Sequence, residues 1–254
     1  GTTGVHIRCK PASDVHLYPD ERTGYVMVMP TVGQVAQLQT NMAGTLNIDW
    51  VLNLARDVCD AIGHDTDHAQ LLKLVEQWMA DSPPGGLIFH PYISEAGERG
   101  PFIDHTARAS LLGLSTAHGF ADLVRGAIEG LSMASRDCYE AMGGVPEHVT
   151  LTGGAARSDA LRATLSATLG ASVRQSTRAE AGAAGAAMMA AVANGVYDDI
   201  ETCIEDWVTP LLTAPEAPDA ALTDLYDRLY PDYVASREAV RPVWTTLEQR
   251  RTGQ

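Results

Sequence analysis

The sequence predicts an α/β domain with a mixed sheet flanked by helices, and three observations lead there. The chain opens on short β-rich runs. From Asn47 the apolar spacing lengthens to that of a helix. After residue 148, strand-like and helix-like segments alternate, the pattern of a parallel sheet with crossover helices.

Val5, Ile7 and Cys9 alternate after a Gly-Thr-Thr-Gly turn, so residues 5–10 read as a strand. "YVMVM" at 25–29 follows Gly24 and reads as a second, and residues 35–40 as a third. Asn47 reads as a helix N-cap, followed by Val51, Leu54, Ala55, Val58 and Ile62 at helical spacing until Gly63. A second helix is expected over 68–80 with Leu71, Leu72, Val75 and Met79 inward. "SPPGG" at 82–86 stops it, because Pro and Gly do not continue a helix cheaply.

"LIFHPYI" reads as a short buried strand leading into a polar loop, "SEAGERGPFIDHTARA". The longest helix is expected over 120–142. Leu123, Val124, Ala127, Ile128, Leu131, Cys138, Tyr139 and Met142 line one side, and Arg125, Glu129, Arg136 and Glu140 the other. There follow a strand "HVTLT", a glycine turn, a helix over 158–169, a strand "SVRQS" and a helix over 178–194 opened by a Thr177–Glu180 capping box. The Pro-rich "TPLLTAPEAPDAA" separates this core from further helices carrying Tyr226, Leu229, Tyr230 and Tyr233. Residues 1–254 thus read as one domain, with a helical appendage over 210–254.

Composition narrows the function. The net charge of −14, with no basic stripe, argues against nucleic acid and against anionic membranes. No window approaches eighteen uninterrupted apolar residues, so no transmembrane helix is expected. The four cysteines are far apart. Cys59 and Cys138 fall on apolar helix faces and read as buried free thiols of a reducing cytoplasm.

"HVTLTGGAARSDALRATLSATLG" is the strongest site candidate. Gly153 and Gly154 follow a strand end directly, where bare backbone admits a ligand that a side chain would repel. Ser158 caps the next helix, whose unpaired N–H groups favour a phosphate-bearing ligand. An ordinary tight turn accounts for the motif equally well. Gly1-Thr2-Thr3-Gly4 offers N–H groups and hydroxyls that can wrap a phosphate, although Gly and Thr are also routine turn residues. Gly44 and Thr45 stand between a strand and a helix start, a phosphate or ribose position or a plain turn. Glu95, Glu98 and Arg99 could serve acid–base or metal chemistry, and a Glu–Arg pair that stiffens the loop is the commoner explanation. His64 and His68 flank two carboxylates, yet Gly63 breaks any helix there, so a solvated loop is expected. A dinucleotide-binding reading of "TGGAARS" requires an acidic residue ending the next strand, and "SVRQST" has none.

These features in this order resemble the carboxyl-terminal half of the FGGY family of carbohydrate kinases. "GTTG" matches that family's Gly-Thr-Ser/Thr phosphate hairpin and "NMAGTLNIDW" its glycine-then-helix segment. "PYISEAGERGPF" resembles its Gly-Glu-Arg-x-Pro loop, "LTGGAARSDALRATLSATLGASV" its adenosine motif, and "EAGAAGAAMMA" the small-residue helix that follows. Ala109, Leu111, Gly113, Leu114, Asp122, Leu123, Ala127, Ile128 and Glu129 fit a second signature. Gly126 departs from it, and the adenosine turn reads Gly-Gly-Ala where three glycines are usual.

The resemblance implies a ribonuclease-H-like domain of the actin/Hsp70-type ATPase fold. It implies ATP and Mg2+ as cofactors and a sugar or polyol as acceptor, with an erythritol-type or L-xylulose-type substrate of four or five carbons. Gly1, Thr2 and Thr3 would contact the β/γ-phosphate region, with Gly44 and Thr45 bordering it. Gly153, Gly154 and Ala155 would lie against adenosine, with Ser158 nearby. Gly182 and Gly185 would allow close helix packing beneath the nucleotide, and ordinary helix packing without ligand contact explains them at least as well. The catalytic aspartate and most sugar-contacting residues would belong to an amino-terminal domain preceding Gly1. Without that domain the chain is expected to be inactive and to bind nucleotide weakly or not at all. A cytoplasmic location and a homodimer are compatible with this reading. A non-catalytic nucleotide-binding or scaffold module of the same fold is the alternative.

Overall fold

A computed structural model describes residues 3–16 and 23–253. Strands β1 (Gly4–Pro11), β2 (Tyr25–Val28) and β3 (Gln34–Asn41) form an antiparallel sheet in the order β1–β3–β2. Ile7 and Tyr25 both lie opposite Leu38, and Met27 lies opposite Ala36. Residues directly opposite share a face, so Val5, Ile7, Tyr25 and Met27 stand together, exposed. The other face carries His6, Arg8, Lys10, Gln37 and Gln39. This sheet buries its polar side.

The end of helix α3 (Phe120–Ala141) gives the reason. The last carbonyls of a helix lack partners within it and carry partial negative charge. Lys10 Nζ donates to Met142 O at 2.7 Å, and Arg8 Nη1 to Gly144 O at 2.7 Å. The His6 ring meets Tyr139 edge-on, with ring centroids 5.6 Å apart.

Helix α1 (Leu46–Ala61) starts one residue after Thr45, which occupies the N-cap position in place of the expected Asn47. Asn47 is buried in the first turn, and its Nδ2 donates back to Gly44 O at 3.1 Å. Ile48, Val51 and Leu52 are buried, whereas Leu54, Val58 and Ile62 are exposed. The apolar repeat therefore marks two stripes, of which only one reaches the core. Helix α2 (His68–Asp81) is capped by Asp67 and buries Leu71, Val75 and Met79, leaving Leu72 exposed.

Strand β4 (Ile88–His90) pairs antiparallel with β5 (Ser110–Leu112), a strand that the polar composition of the preceding loop had hidden. Helix α3 is central and meets α1, α2, α4 (Asp159–Leu169) and β4. Its polar side is covered as well, so it is not a simple amphipathic helix: Glu129 and Asp137 are buried. The cover is α7 (Ala220–Thr252), whose Tyr226 hydroxyl donates to Glu129 at 2.9 Å and whose Tyr230 hydroxyl donates to Asp137 at 2.8 Å. Arg237 pairs with Asp137 from the same helix.

Strand β6 (His148–Leu151), α4 and β7 (Ser172–Gln175) make the expected parallel crossover unit. The Pro-rich stretch is not a mere separator. It lies along β7, with Glu216 N–H donating to Val173 O at 2.7 Å and Thr213 N–H to Gln175 O at 2.9 Å. Helix α5 (Ala181–Ala193) begins three residues later than expected, without the capping box. The Thr177 N–H and hydroxyl both go to Leu211 O, at 2.9 and 3.2 Å. After α6 (Ile200–Trp207), the expected series of terminal helices is one 33-residue helix, α7, which passes through Pro231 and Pro242 and buries Tyr226, Tyr233 and Trp244. Cys138 and Cys203 are buried, Cys59 is half-buried and Cys9 is exposed. Among the described residues no helix is long and apolar enough to cross a membrane.

Candidate functional site

Strand β3 ends at Asn41, and the chain turns through Met42–Thr45 before α1. At this turn the second and third glycine features meet. A Cβ on Gly44 would stand 3.0 Å from Gly4 N and 3.2 Å from Thr3 C, so the two backbones touch where a side chain would hold them apart. Thr3 is exposed and Thr45 half-buried beside this contact. The expected contacts of Gly1 and Thr2 lie outside the described residues.

The polar loop after β4 is docked on the same turn. Asn41 Nδ2 donates to Gly100 O at 2.8 Å, and Asn41 Oδ1 is 2.9 Å from His6 Nε2. Burial lowers the His6 pKa to about 4, so the ring is neutral at physiological pH and joins β1 to β3 as a hydrogen-bonding group. Glu98 Oε1 accepts from Met42 N–H at 2.9 Å and from Arg99 N–H at 2.8 Å. Glu95 is exposed and Glu98 buried, so they do not form a paired carboxylate site. Burial pushes the Glu98 pKa up to about 7, against the backbone N–H groups and Arg99, which favour its charged form.

The second glycine cluster is built differently. Gly153 reverses the chain after β6 at φ +86°, and residues Gly154–Arg157 form a short 3-10 turn. Among the described residues nothing lies within 4 Å of a Cβ position at Gly153 or Gly154, and both are exposed. Gly182 and Gly185 on α5 are equally open, so among the described residues no helix packs closely on them.

Ser158 caps α4 as expected, accepting from Leu161 N–H at 3.2 Å. The helix N-terminus is not vacant, however. Glu76 of α2 accepts from the Ser158 hydroxyl at 2.8 Å and from Ala160 N–H at 2.9 Å. A carboxylate thus takes up the helix N–H groups that the sequence offered to a phosphate-bearing ligand. Arg162 holds that turn from beneath through Ala156 O at 2.8 Å and reaches Glu216 at 3.2 Å. Glu76 carries no local sequence signal, because Ser158 and Ala160 are more than 80 residues away, whereas Arg162 also pairs locally with Asp159 at 2.6 Å.

His68 Nε2 lies 3.2 Å from Asp49 Oδ1. Among the described residues, no group of three or more His, Cys, Asp or Glu side chains gathers as a metal site. Two regions are bared by glycine, one tightly built at Gly44 and one open at Gly153 and Gly154.

The sequence model of the C-terminal domain of the FGGY family of carbohydrate kinases matches residues 1–194. An erythritol kinase of Brucella abortus (strain 2308) is 53% identical over 247 residues, covering 97% of this chain and 47% of that protein. A xylulose kinase of Escherichia coli (strain K12) is 38% identical over 90 residues, 34% of this chain and 18% of that protein. The fold matches a gluconate kinase crystal structure from Lactobacillus acidophilus with TM-score 0.78 at 21% identity, covering 97% of this chain and 47% of the other. It also matches a Plasmodium falciparum glycerol kinase with ADP, TM-score 0.70 at 16% identity, covering 93% and 46%. The chain spans about half the length of the erythritol kinase that it matches. The fold is the ribonuclease-H-like one of these sugar kinases, and the chain belongs to the FGGY family of carbohydrate kinases.

Proposed function

We propose that the intact protein transfers the γ-phosphoryl group of Mg-ATP to a primary hydroxyl of a four- or five-carbon polyol or ketose, with erythritol the leading acceptor. The 53% identity to an erythritol kinase over 97% of this chain carries the reading. Residues 1–254 are the nucleotide side of the cleft, and 210–254 a helical appendage of the same domain. An amino-terminal domain supplies the sugar site and the general-base aspartate.

In this reading Gly1, Thr2 and Thr3 meet the β/γ-phosphates, and Gly44 and Thr45 border them. The close approach of Gly44 to Thr3–Gly4 supports that assignment. Gly153, Gly154 and Ala155 lie against adenosine, with Ser158 behind the turn. The open space at both glycines supports this half. Mg2+ neutralises charge on the triphosphate when bound, and it arrives with the nucleotide. This chain's own part is to hold donor phosphates and adenosine in a fixed line, because phosphoryl transfer depends on positioning. The protein works in the cytoplasm, and a homodimer is compatible with it.

The test joins an amino-terminal half, such as that of the Brucella abortus erythritol kinase, to Gly1 and assays ATP-dependent phosphorylation of erythritol and xylulose. Turnover is expected in the joined protein and none in the 254-residue chain alone. Nucleotide binding without turnover on any polyol would favour a scaffold module of the same fold.

A further inference from the structure

We infer that Glu98 is a positioning residue for the phosphate end of the site: with Gly100 beside it, it fixes the turn after β3 and so the contact between Gly44 and Thr3–Gly4. The inference rests on the nucleotide reading proposed above.

The pairing of β1 with β3 stops at Gly4 opposite Asn41. Met42, the next residue, has left the ladder, and its N–H is taken by the Glu98 carboxylate. Two residues further stands Gly44, whose backbone abuts Thr3 and Gly4. The Glu98 backbone is anchored in turn. Its N–H donates to Asp104 O at 2.8 Å, and Asp104 N–H donates to its carbonyl at 2.9 Å. Gly100 fits against β3 only without a side chain, since a Cβ there would lie 2.5 Å from Thr40 O. Its carbonyl receives the Asn41 amide, which also reaches His6. β1, β3 and the loop are thus locked over the three residues 40–42, immediately before the turn.

A carboxylate is a costly choice for this work. Glu98 is 3% exposed, and burial penalises its charge. A buried group held against its preference next to a candidate site points to a role at that site. Its carboxylate accepts from the Met42 and Arg99 N–H groups, so it is a positioning residue, acting through Met42 and Gly44.

Two measurements on Glu98→Ala, Glu98→Gln and a remote core control, Val173→Ala, test this. The first is amide exchange by NMR on the 254-residue chain. Glu98→Ala is expected to speed exchange at Gly4 and Gly44, as well as at Met42, by about tenfold or more, while Glu98→Gln, which keeps an acceptor oxygen, stays near wild type. The second is kinetics in the joined kinase with erythritol. Glu98→Ala is expected to lower kcat/KM for ATP by on the order of 10- to 100-fold with KM for erythritol unchanged, and Glu98→Gln is expected to restore most of it. The inference is overturned if Val173→Ala reproduces the Glu98→Ala pattern, if both substrates suffer equally, or if exchange changes only at Met42. Absence of turnover in the wild-type joined protein would instead defeat the kinase reading. The exchange at Gly4 and Gly44 then decides the Glu98 contact alone.

Discussion

The two ends of the candidate site use glycine in opposite ways. At the proposed phosphate end, Gly44 and Gly100 are filled from outside: the place of each missing Cβ is already crowded by neighbouring backbone. At the proposed adenosine end, among the described residues nothing lies within 4 Å of the missing Cβ at Gly153, Gly154, Gly182 or Gly185. The first end is built by this chain for itself. The second is open: among the described residues nothing stands where these glycines would carry a side chain. A glycine in a sequence does not reveal which of these it is.

Substitutions can break this comparison, and the largest effect is expected at Gly100. An alanine there drives its Cβ against Thr40 O, and overpacking of this kind costs about 3 kcal/mol. Urea unfolding would show it, and a loss below about 1 kcal/mol would mean that the loop is not fixed on β3 as described.

The pH response of Glu98 comes next. Its folded-state pKa, about 7, lies above the ordinary 4.5, so the folded protein binds the proton more tightly than the unfolded chain. The corresponding stability is fully present below pH 4.5 and is lost as pH rises through about 7. Glu98→Gln escapes that loss. It is expected to be more stable than wild type at pH 8, by at most about 3 kcal/mol, with the difference vanishing near pH 4.5. Arg99, Tyr92 and Cys138 are the titratable groups felt by this carboxylate. A destabilised Glu98→Gln at pH 8 would show that Arg99 and the backbone N–H groups outweigh burial.

At the open end the effects shrink and separate by cause. Gly153→Ala is expected to cost about 1–2 kcal/mol despite free space, because φ +86° is left-handed backbone. Gly185→Ala, inside α5, is expected to stabilise the chain by up to about 1 kcal/mol through helix propensity alone. Gly154→Ala should lie within about 0.5 kcal/mol of wild type. Thermal unfolding of the three variants checks the ranking. A large loss at Gly185 would mean that something already packs on that face.

Much of the scaffold was legible. The three opening strands, α2, α3 and the β6–α4–β7 unit fall close to where periodicity and turn residues place them. Ser158 was legible as a cap because the signal is local, a hydroxyl three residues before the N–H that it accepts from. Asn47 carried the same kind of signal and misled, since Thr45 already opens the helix and the Asn47 amide turns back to Gly44. The Thr177–Glu180 box failed because Leu211, distant in sequence, takes the Thr177 groups.

Within the site, the candidate glycines were visible as glycines, but their surroundings were not. Glu98 was visible as a loop acid and was read with Arg99, whereas its carboxylate accepts from the Met42 N–H across the fold. Glu76 gave no sign that it would cap another helix.

By itself the sequence determined the alternation of strands and helices, the places where backbone is bare, and the family. These depend on residues within a few positions of one another, where spacing and turn chemistry act directly. Only the tertiary structure decided that β1 and β3 bury their polar face, that α3 is enclosed on both sides, and that Glu98 and Glu76 serve distant N–H groups. Each of those outcomes depends on which distant backbone or side-chain partners the fold brings alongside a charged side chain. Local pattern carries no information about a partner 50 or more residues away.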